Sequence, residues 1–138
     1  MTDNFLSIAR EFAEEQLQQR SDIKGVLLVG SVARDEATPF SDIDLRFILE
    51  GEAQHLARID GWREGIYIDG TPEPLSLYSS LESILSHTIR ANDVNTGHIL
   101  YDPENFLTNL QREVQAQFMD YRWLSRRVKL IADRIPPG

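Results

Sequence analysis

The sequence contains no cysteine. That excludes a disulfide framework, a thiolate nucleophile and a zinc–thiolate centre, and it agrees with a reducing compartment. There is no run of eighteen apolar residues, and no N-terminal basic stretch followed by an apolar one. The chain is therefore expected to be cytoplasmic, with neither membrane span nor signal peptide. Basic residues are scarce too: 14 Lys and Arg stand against 22 Asp and Glu, a net charge of −8. Residues 121–138 hold five basic side chains and one acidic one, so the first 120 residues carry −12. A field of that sign discourages a polynucleotide backbone, whose docking needs clustered Lys and Arg, and suits a cationic small substrate or a basic protein. The three histidines, His55, His87 and His98, lack ligand spacing. No Gly-x-Ser-x-Gly elbow and no Gly-x-x-x-x-Gly-Lys loop occurs, so acyl-transfer and P-loop chemistry have nothing to rest on.

What the sequence does have is concentrated between Gly30 and Leu45. Gly25 to Val29 is a short apolar, β-branched stretch that predicts a buried strand ending where Gly30 begins. Glycine at such a strand-to-helix turn can take a positive φ and lets an anion approach the backbone. Ser31 adds a hydroxyl, and the next N–H groups open a short helix expected to run to about Ala37. Thr38, Pro39 and Phe40 then break the chain, with Ser41 turning it into a second strand. From Asp42 to Leu49 polar and apolar residues alternate, which predicts a strand buried on one face. Period two puts Asp42 and Asp44 on the same side. Two adjacent carboxylates repel unless a cation lies between them, and oxygen pairs of this kind hold Mg²⁺ beside substrate phosphates.

A phosphate turn followed by a metal strand resembles the nucleotidyltransferases of the DNA polymerase beta superfamily, in their small form. Their mark is Gly-Ser, a spacer and Asp-x-Asp, which stands here as Gly30-Ser31, ten residues, and Asp42-Ile43-Asp44. Ala33, Arg34 and Ser41 also fall where small relatives place them. Asp35 departs from the pattern, because many relatives carry glycine there. The resemblance covers roughly residues 20–80, with its specific motifs confined to 30–44. It implies an α/β fold of α+β type, a small mixed sheet covered by helices on one face. It also implies Mg²⁺-dependent transfer of a nucleoside monophosphate, AMP from ATP first of all, onto a hydroxyl of a small molecule, with release of pyrophosphate. Gly30, Ser31 and Arg34 would bind the nucleotide, and Asp42 and Asp44 would be catalytic metal ligands. A third carboxylate is implied as well. Asp69 and Glu73 are the candidates, and Glu73 is favoured because it leads into the regular stretch Leu75 to Tyr78. Minimal nucleotidyltransferase antitoxins that adenylylate a helical toxin share this length and spacer, and a non-enzymatic binding module of the same fold is a further alternative.

The rest of the chain predicts the supporting elements of one domain, a core at about 20–80 and a helical part at about 80–135. Phe5, Ile8, Ala9, Phe12 and Leu17 recur at helical spacing in a first helix ending near Arg20. Residues 50–64 are poorly patterned, with a helical turn around Ala53 to Ala57 and a polar turn at Asp60-Gly61. Residues 65–78, interrupted by Pro72 and Pro74, predict a kinked strand or two strands. Ser79 and Glu82 form a capping box that opens a helix to about Arg90. Asp102-Pro103 starts another, striped by Phe106, Leu107, Leu110, Val114 and Phe118. A last helix from about Asp120 carries Leu124, Val128, Ile131 and Ile135 on one side. Trp123 and Leu130, interleaved with Arg126, Arg127 and Arg134, give it a second apolar stripe. That stripe predicts association with a second copy or with a helical protein partner.

Overall fold

The protein is represented by a computed structural model that describes residues 2–51 and 57–118. The helical turn expected around Ala53 to Ala57, all but its last residue, and the last helix with Trp123 and Leu130 lie outside the described residues. Helix α1 (Thr2–Gln19) leads into β1 (Ile23–Val29), the short helix α2 (Gly30–Ala33) and β2 (Ile43–Leu49). Strands β3 (Gly61–Arg63) and β4 (Ile66–Pro74) follow, then a 3₁₀ turn (Leu75–Tyr78), α3 (Leu81–Leu85), α4 (Thr88–Thr96), β5 (His98–Tyr101) and α5 (Phe106–Phe118). The five strands form one sheet in the order β3-β4-β2-β1-β5. Only the β2–β4 pair is parallel; β1 runs antiparallel to both β2 and β5, and β3 to β4. The sheet is therefore mixed, as the sequence implies.

Helices lie on both faces of this sheet rather than on one. Alternation along β1 shows why. Val26 and Leu28 pack with Phe5, Ile8 and Phe12 of α1, and Ile43, Leu45, Phe47 and Leu49 of β2 join that cluster. Leu27 and Val29 point the other way, into a second cluster with Ile84 of α3, Ala91 and Val94 of α4, and Leu107, Leu110 and Val114 of α5. The run Gly25 to Val29, with no polar side chain, is buried on both sides. On the second face β2 contributes only Ile48 to the apolar cluster, because Asp44 and Arg46 fill the positions before it.

Several local expectations change. Residues 66–74 form one strand that passes through both prolines, while Leu75 to Tyr78, expected as strand, is a 3₁₀ turn. Gly70 explains the prolines. Its N–H donates to Asp60 Oδ1 at 3.0 Å and its carbonyl accepts from Ile59 N at 2.8 Å, so its polar groups face the β3 side. Pro72 and Pro74 share that parity and lie past the end of the three-residue β3, where no ladder N–H is required. A Cβ on Gly70 would overlap the Ile59 carbonyl, so the close approach of the two backbones requires glycine. The cap expected at Ser79 is at Ser80, whose Oγ accepts from Ser83 N at 3.1 Å, and the single helix to Arg90 is split at Ser86–His87 into α3 and α4. Asp102 does cap, accepting from Leu107 N and Thr108 N, but α5 begins at Phe106 rather than at Pro103. Strands β3 and β5 have no counterpart in the expected elements.

Candidate active site

The site is built where β1 ends and β2 begins. Gly30 adopts φ +78°, as expected of a glycine turn. A Cβ on Gly30 would stand 2.5 Å from Asp44 Oδ2, so glycine is what allows the turn and the carboxylate to sit against each other. Asp44 is itself aligned with Val29, the last residue of β1. The following helix is a single turn, ending at Ala33 rather than near Ala37, with no side chain capping its first N–H groups. Asp35 closes it at φ +58°, adopting the left-handed backbone that glycine would take more cheaply. Ser41 turns the chain toward β2: its Oγ accepts from Thr38 N at 2.8 Å and its N–H donates to the Thr38 carbonyl at 3.0 Å.

Asp42, exposed, stands just before β2, and Asp44, half-buried, is the second residue of that strand. Burial pushes the Asp44 carboxyl above its ordinary range; the Arg46 charge draws it back, and Asp42 and Asp93 push it up again. Among the described residues neither Asp42 nor Asp44 forms a salt bridge, and no three acidic or histidine side chains converge on one metal-sized point. The donor set fits Mg²⁺ in the manner of a two-carboxylate site completed by ligand oxygens, since that ion keeps several non-protein ligands.

The parallel register of β2 and β4 decides which acids lie beside this pair. Asp44 is opposite Asp69, Arg46 opposite Thr71, and Ile48 opposite Glu73, each couple on one face. Asp69 is therefore the direct neighbour of Asp44, with Arg58 as its ion-pair partner. Glu73 stands four residues further along the strand, roughly 13 Å at the usual rise. It is engaged there: Tyr78 Oη donates to its Oε1 at 2.8 Å, Arg90 Nε donates to its Oε2 at 3.2 Å, and Arg46 Nε lies 3.5 Å from its Oε1. Arg46 also pairs with Asp93 of α4 at 3.4 Å. Burial first, and then the Glu73 charge, drive the Tyr78 hydroxyl far above its ordinary value, keeping it a donor.

Of the residues expected from sequence, Gly30, Ser31, Asp42 and Asp44 come together, Arg34 lies at the rim, and Glu73 stands apart. Arg34 is exposed and pairs with Glu36 at 3.3 Å, although its charge still reaches Asp44 and Asp93. Sequence reasoning missed Arg46 and Asp93. Period two along Asp42-x-Asp44-x-Arg46 places Arg46 on the site face and could have found it. Asp93 comes from a helix that folding alone brings to the sheet. His87, without a ligand set in the sequence, caps α4 by accepting from Arg90 N through Nδ1.

A glycine turn held against one of two closely spaced carboxylates on a mixed sheet fits the chemistry of nucleotidyl transfer. The chain belongs to the nucleotidyltransferase domain family, whose sequence profile matches residues 9–130. No curated protein sequence matches it. Among solved structures it is similar to a nucleotidyltransferase-like protein from Exiguobacterium sibiricum, with a TM-score of 0.56 and 15% identity over 73% of this chain. The chain spans only 35% of that protein. A candidate nucleotidyltransferase from Sulfolobus solfataricus aligns with a TM-score of 0.52 and 19% identity, covering 75% of this chain and 85% of the other. A toxin–antitoxin structure with AMP-PNP aligns with a TM-score of 0.50 and 16% identity over 90% of this chain and 96% of its counterpart. At these identities the likeness is one of fold.

Proposed function

We propose that this enzyme moves a nucleoside monophosphate, AMP from ATP in the first instance, onto a hydroxyl of a small molecule. The observation that carries the reading is the seating of the Gly30 turn against Asp44. The N–H groups after Gly30 and the Ser31 hydroxyl would hold the β- and γ-phosphates, with Arg34 swinging in from the rim. Asp42 and Asp44 would hold Mg²⁺, which when bound neutralises charge on the phosphate oxygens. Asp69 is the better third carboxylate than Glu73, since it is aligned with Asp44 and Glu73 already has three partners. In the step, the acceptor oxygen forms a bond to the α-phosphorus, the bond to pyrophosphate breaks, and the hydroxyl proton passes to the Asp69 carboxylate.

A second reading keeps the chemistry and changes the acceptor to a hydroxyl on a protein partner. It is favoured by the toxin–antitoxin neighbour, which matches this chain over nearly the full length of both. Incubation with each α-labelled nucleoside triphosphate, Mg²⁺ and either a panel of small polyols and glycosides or a host lysate tests both. Label on a small molecule supports the first reading and label on a protein band the second. ATP binding without any labelled product would leave a nucleotide-binding module and overturn both.

A further inference from the structure

The sheet order places the two sides of a displacement on different strands. Gly30 and Ser31 follow β1, Asp42 immediately precedes β2, Asp44 lies on β2 and Asp69 on β4, with β3 one strand further out. If the departing pyrophosphate is held at the β1 end, an in-line attack must come from the opposite side, over β4 and β3. An aromatic pair occupies that side. Trp62 of β3 is aligned with Tyr67 of β4, their ring centroids 5.1 Å apart and tilted by 53°. The register that aligns Asp44 with Asp69 starts at Ile43 and Ile68, one residue after Asp42 and Tyr67, and the Asp42 charge is felt at the Tyr67 hydroxyl. Trp62, Tyr67, Asp44 and Asp69 therefore share one face, with Asp42 just before the start of β2.

The pair is a fixed surface rather than a stray exposed ring. Tyr67 packs beside Asp60, whose carboxylate raises the Tyr67 hydroxyl above its ordinary value, and that carboxylate is held by the Gly70 N–H at 3.0 Å and by Arg58 Nε at 3.0 Å. Trp62 leans on this anchored ring yet leaves 66% of its own surface open to solvent. From β2 to β3 is two strand spacings, about 10 Å, a distance that one ring bearing a hydroxyl can bridge. An indole face beside carboxylates is suited to a ligand with an apolar face and hydrogen-bonding hydroxyls on its edge.

We propose that Trp62 and Tyr67 form the acceptor platform, binding a ring-borne hydroxyl, sugar or phenol, and presenting it to the phosphorus from the β4 side. This rests on the transferase reading above and assigns its acceptor side. In a Trp123→Phe background Trp62 is the sole tryptophan. Its fluorescence should change saturably with methyl glucoside or with N-acetyltyrosinamide, which separates the sugar and phenol sources, and should not respond to ring-free glycerol. By calorimetry, Trp62→Ala should weaken binding of the responding probe about tenfold or more, Trp62→Phe should restore most of it, and ATP affinity should stay within about twofold in both. No response to either ring probe up to about 10 mM overturns the proposal, since that corresponds to less than about 3 kcal/mol of binding. So does a matching loss of ATP affinity in Trp62→Ala, which would put the nucleobase on the platform. Failure of the transferase reading itself shows separately, as absent ATP binding in the unsubstituted protein.

Discussion

One face of the sheet carries two groups of acidic side chains, and they are treated oppositely. At the start of β2, Asp44 packs against the Gly30 turn with Asp42 two residues before it, and neither has a salt-bridging cation among the described residues. Further along the same face, Glu73 and Asp93 are tied to Arg46 and Arg90, and Tyr78 donates to Glu73. Proteins rarely leave like charges adjacent and uncompensated, because each raises the cost of ionising the other. The first group retains that cost where a ligand cation can relieve it; the second has been neutralised with arginine. Site and scaffold thus differ in how charge is balanced, not in how many acids they hold.

The largest expected effect breaks the first group. Asp42→Asn or Asp44→Asn should lower transfer by roughly 10²- to 10³-fold or more, since a neutral amide replaces a metal ligand poorly and the charge that organises the phosphates is lost. The fold should remain intact, and without metal Asp44→Asn should hold or raise stability, because a half-buried carboxylate beside Asp42 is replaced by a neutral group. Circular dichroism melts with turnover measured in parallel check this; near wild-type turnover in Asp42→Asn would remove the metal assignment.

The second group should fail in the other way. Arg46→Met leaves Asp93 without its salt bridge and removes one of two arginines from Glu73, at a cost of roughly 3 kcal/mol. Glu73→Ala should also destabilise, orphaning Arg90 and the Tyr78 hydroxyl. Asp69→Ala should do the reverse of Glu73→Ala, losing turnover with little change in melting. Denaturant midpoints and rates at saturating Mg²⁺ for the two variants decide between them. A stable, inactive Glu73→Ala would return the third carboxylate to Glu73.

How the site could be read from sequence follows from the range of each signal. Gly30-Ser31 and Asp42-x-Asp44 were legible because a turn and a period-two pattern are local, and the structure seats Asp44 against the Gly30 turn. The choice between Asp69 and Glu73 was not legible, because it depends on strand register. Register depended on whether Pro72 and Pro74 interrupt the strand. They do not, since β3 is too short to need their N–H groups. The order of the helices was largely readable, but the break at Ser86–His87 was not: Ile84 and Ala91, seven residues apart, both face the core, the spacing that an unbroken helix would also give.

Titration gives a weaker test of the same contrast. Burial raises the Asp44 carboxyl above 3.8, so the folded protein holds that proton more tightly than the unfolded chain. The contribution of Asp44 to metal-free stability is therefore greatest below 3.8 and is lost as pH rises from there through its raised folded value. Asp93 has the same sign, with burial again the first cause. Asp22 has the opposite sign: its hydrogen bond from Arg20 lowers its carboxyl, giving stability present above 3.8 and lost as pH falls. Subtracting the pH profile of Asp44→Asn from that of the wild type should isolate a declining slope above about pH 4. A rising slope would mean that Asp44 is ion-paired in the native protein.

The smallest expected effect probes how the arginine-balanced group is held. Arg90 and Asp93 both project from α4, whose first turn is capped by His87 Nδ1 accepting from Arg90 N at 3.2 Å. His87→Ala removes that acceptor and should cost about 1 kcal/mol, the usual value of an N-cap, while His87→Ser should recover most of it. The loss should appear as a lower melting temperature with turnover unchanged, because α4 is fixed elsewhere, by Ala91 and Val94 in the core and by Gln111 Nε2 donating to the Val94 carbonyl at 3.0 Å. If His87→Ala instead lowers turnover and His87→Ser restores it without a matching change in melting, the cap is tuning Arg90 and Asp93 for catalysis. The division between a reactive end and a balanced end of the face would then be less sharp than their salt bridges imply.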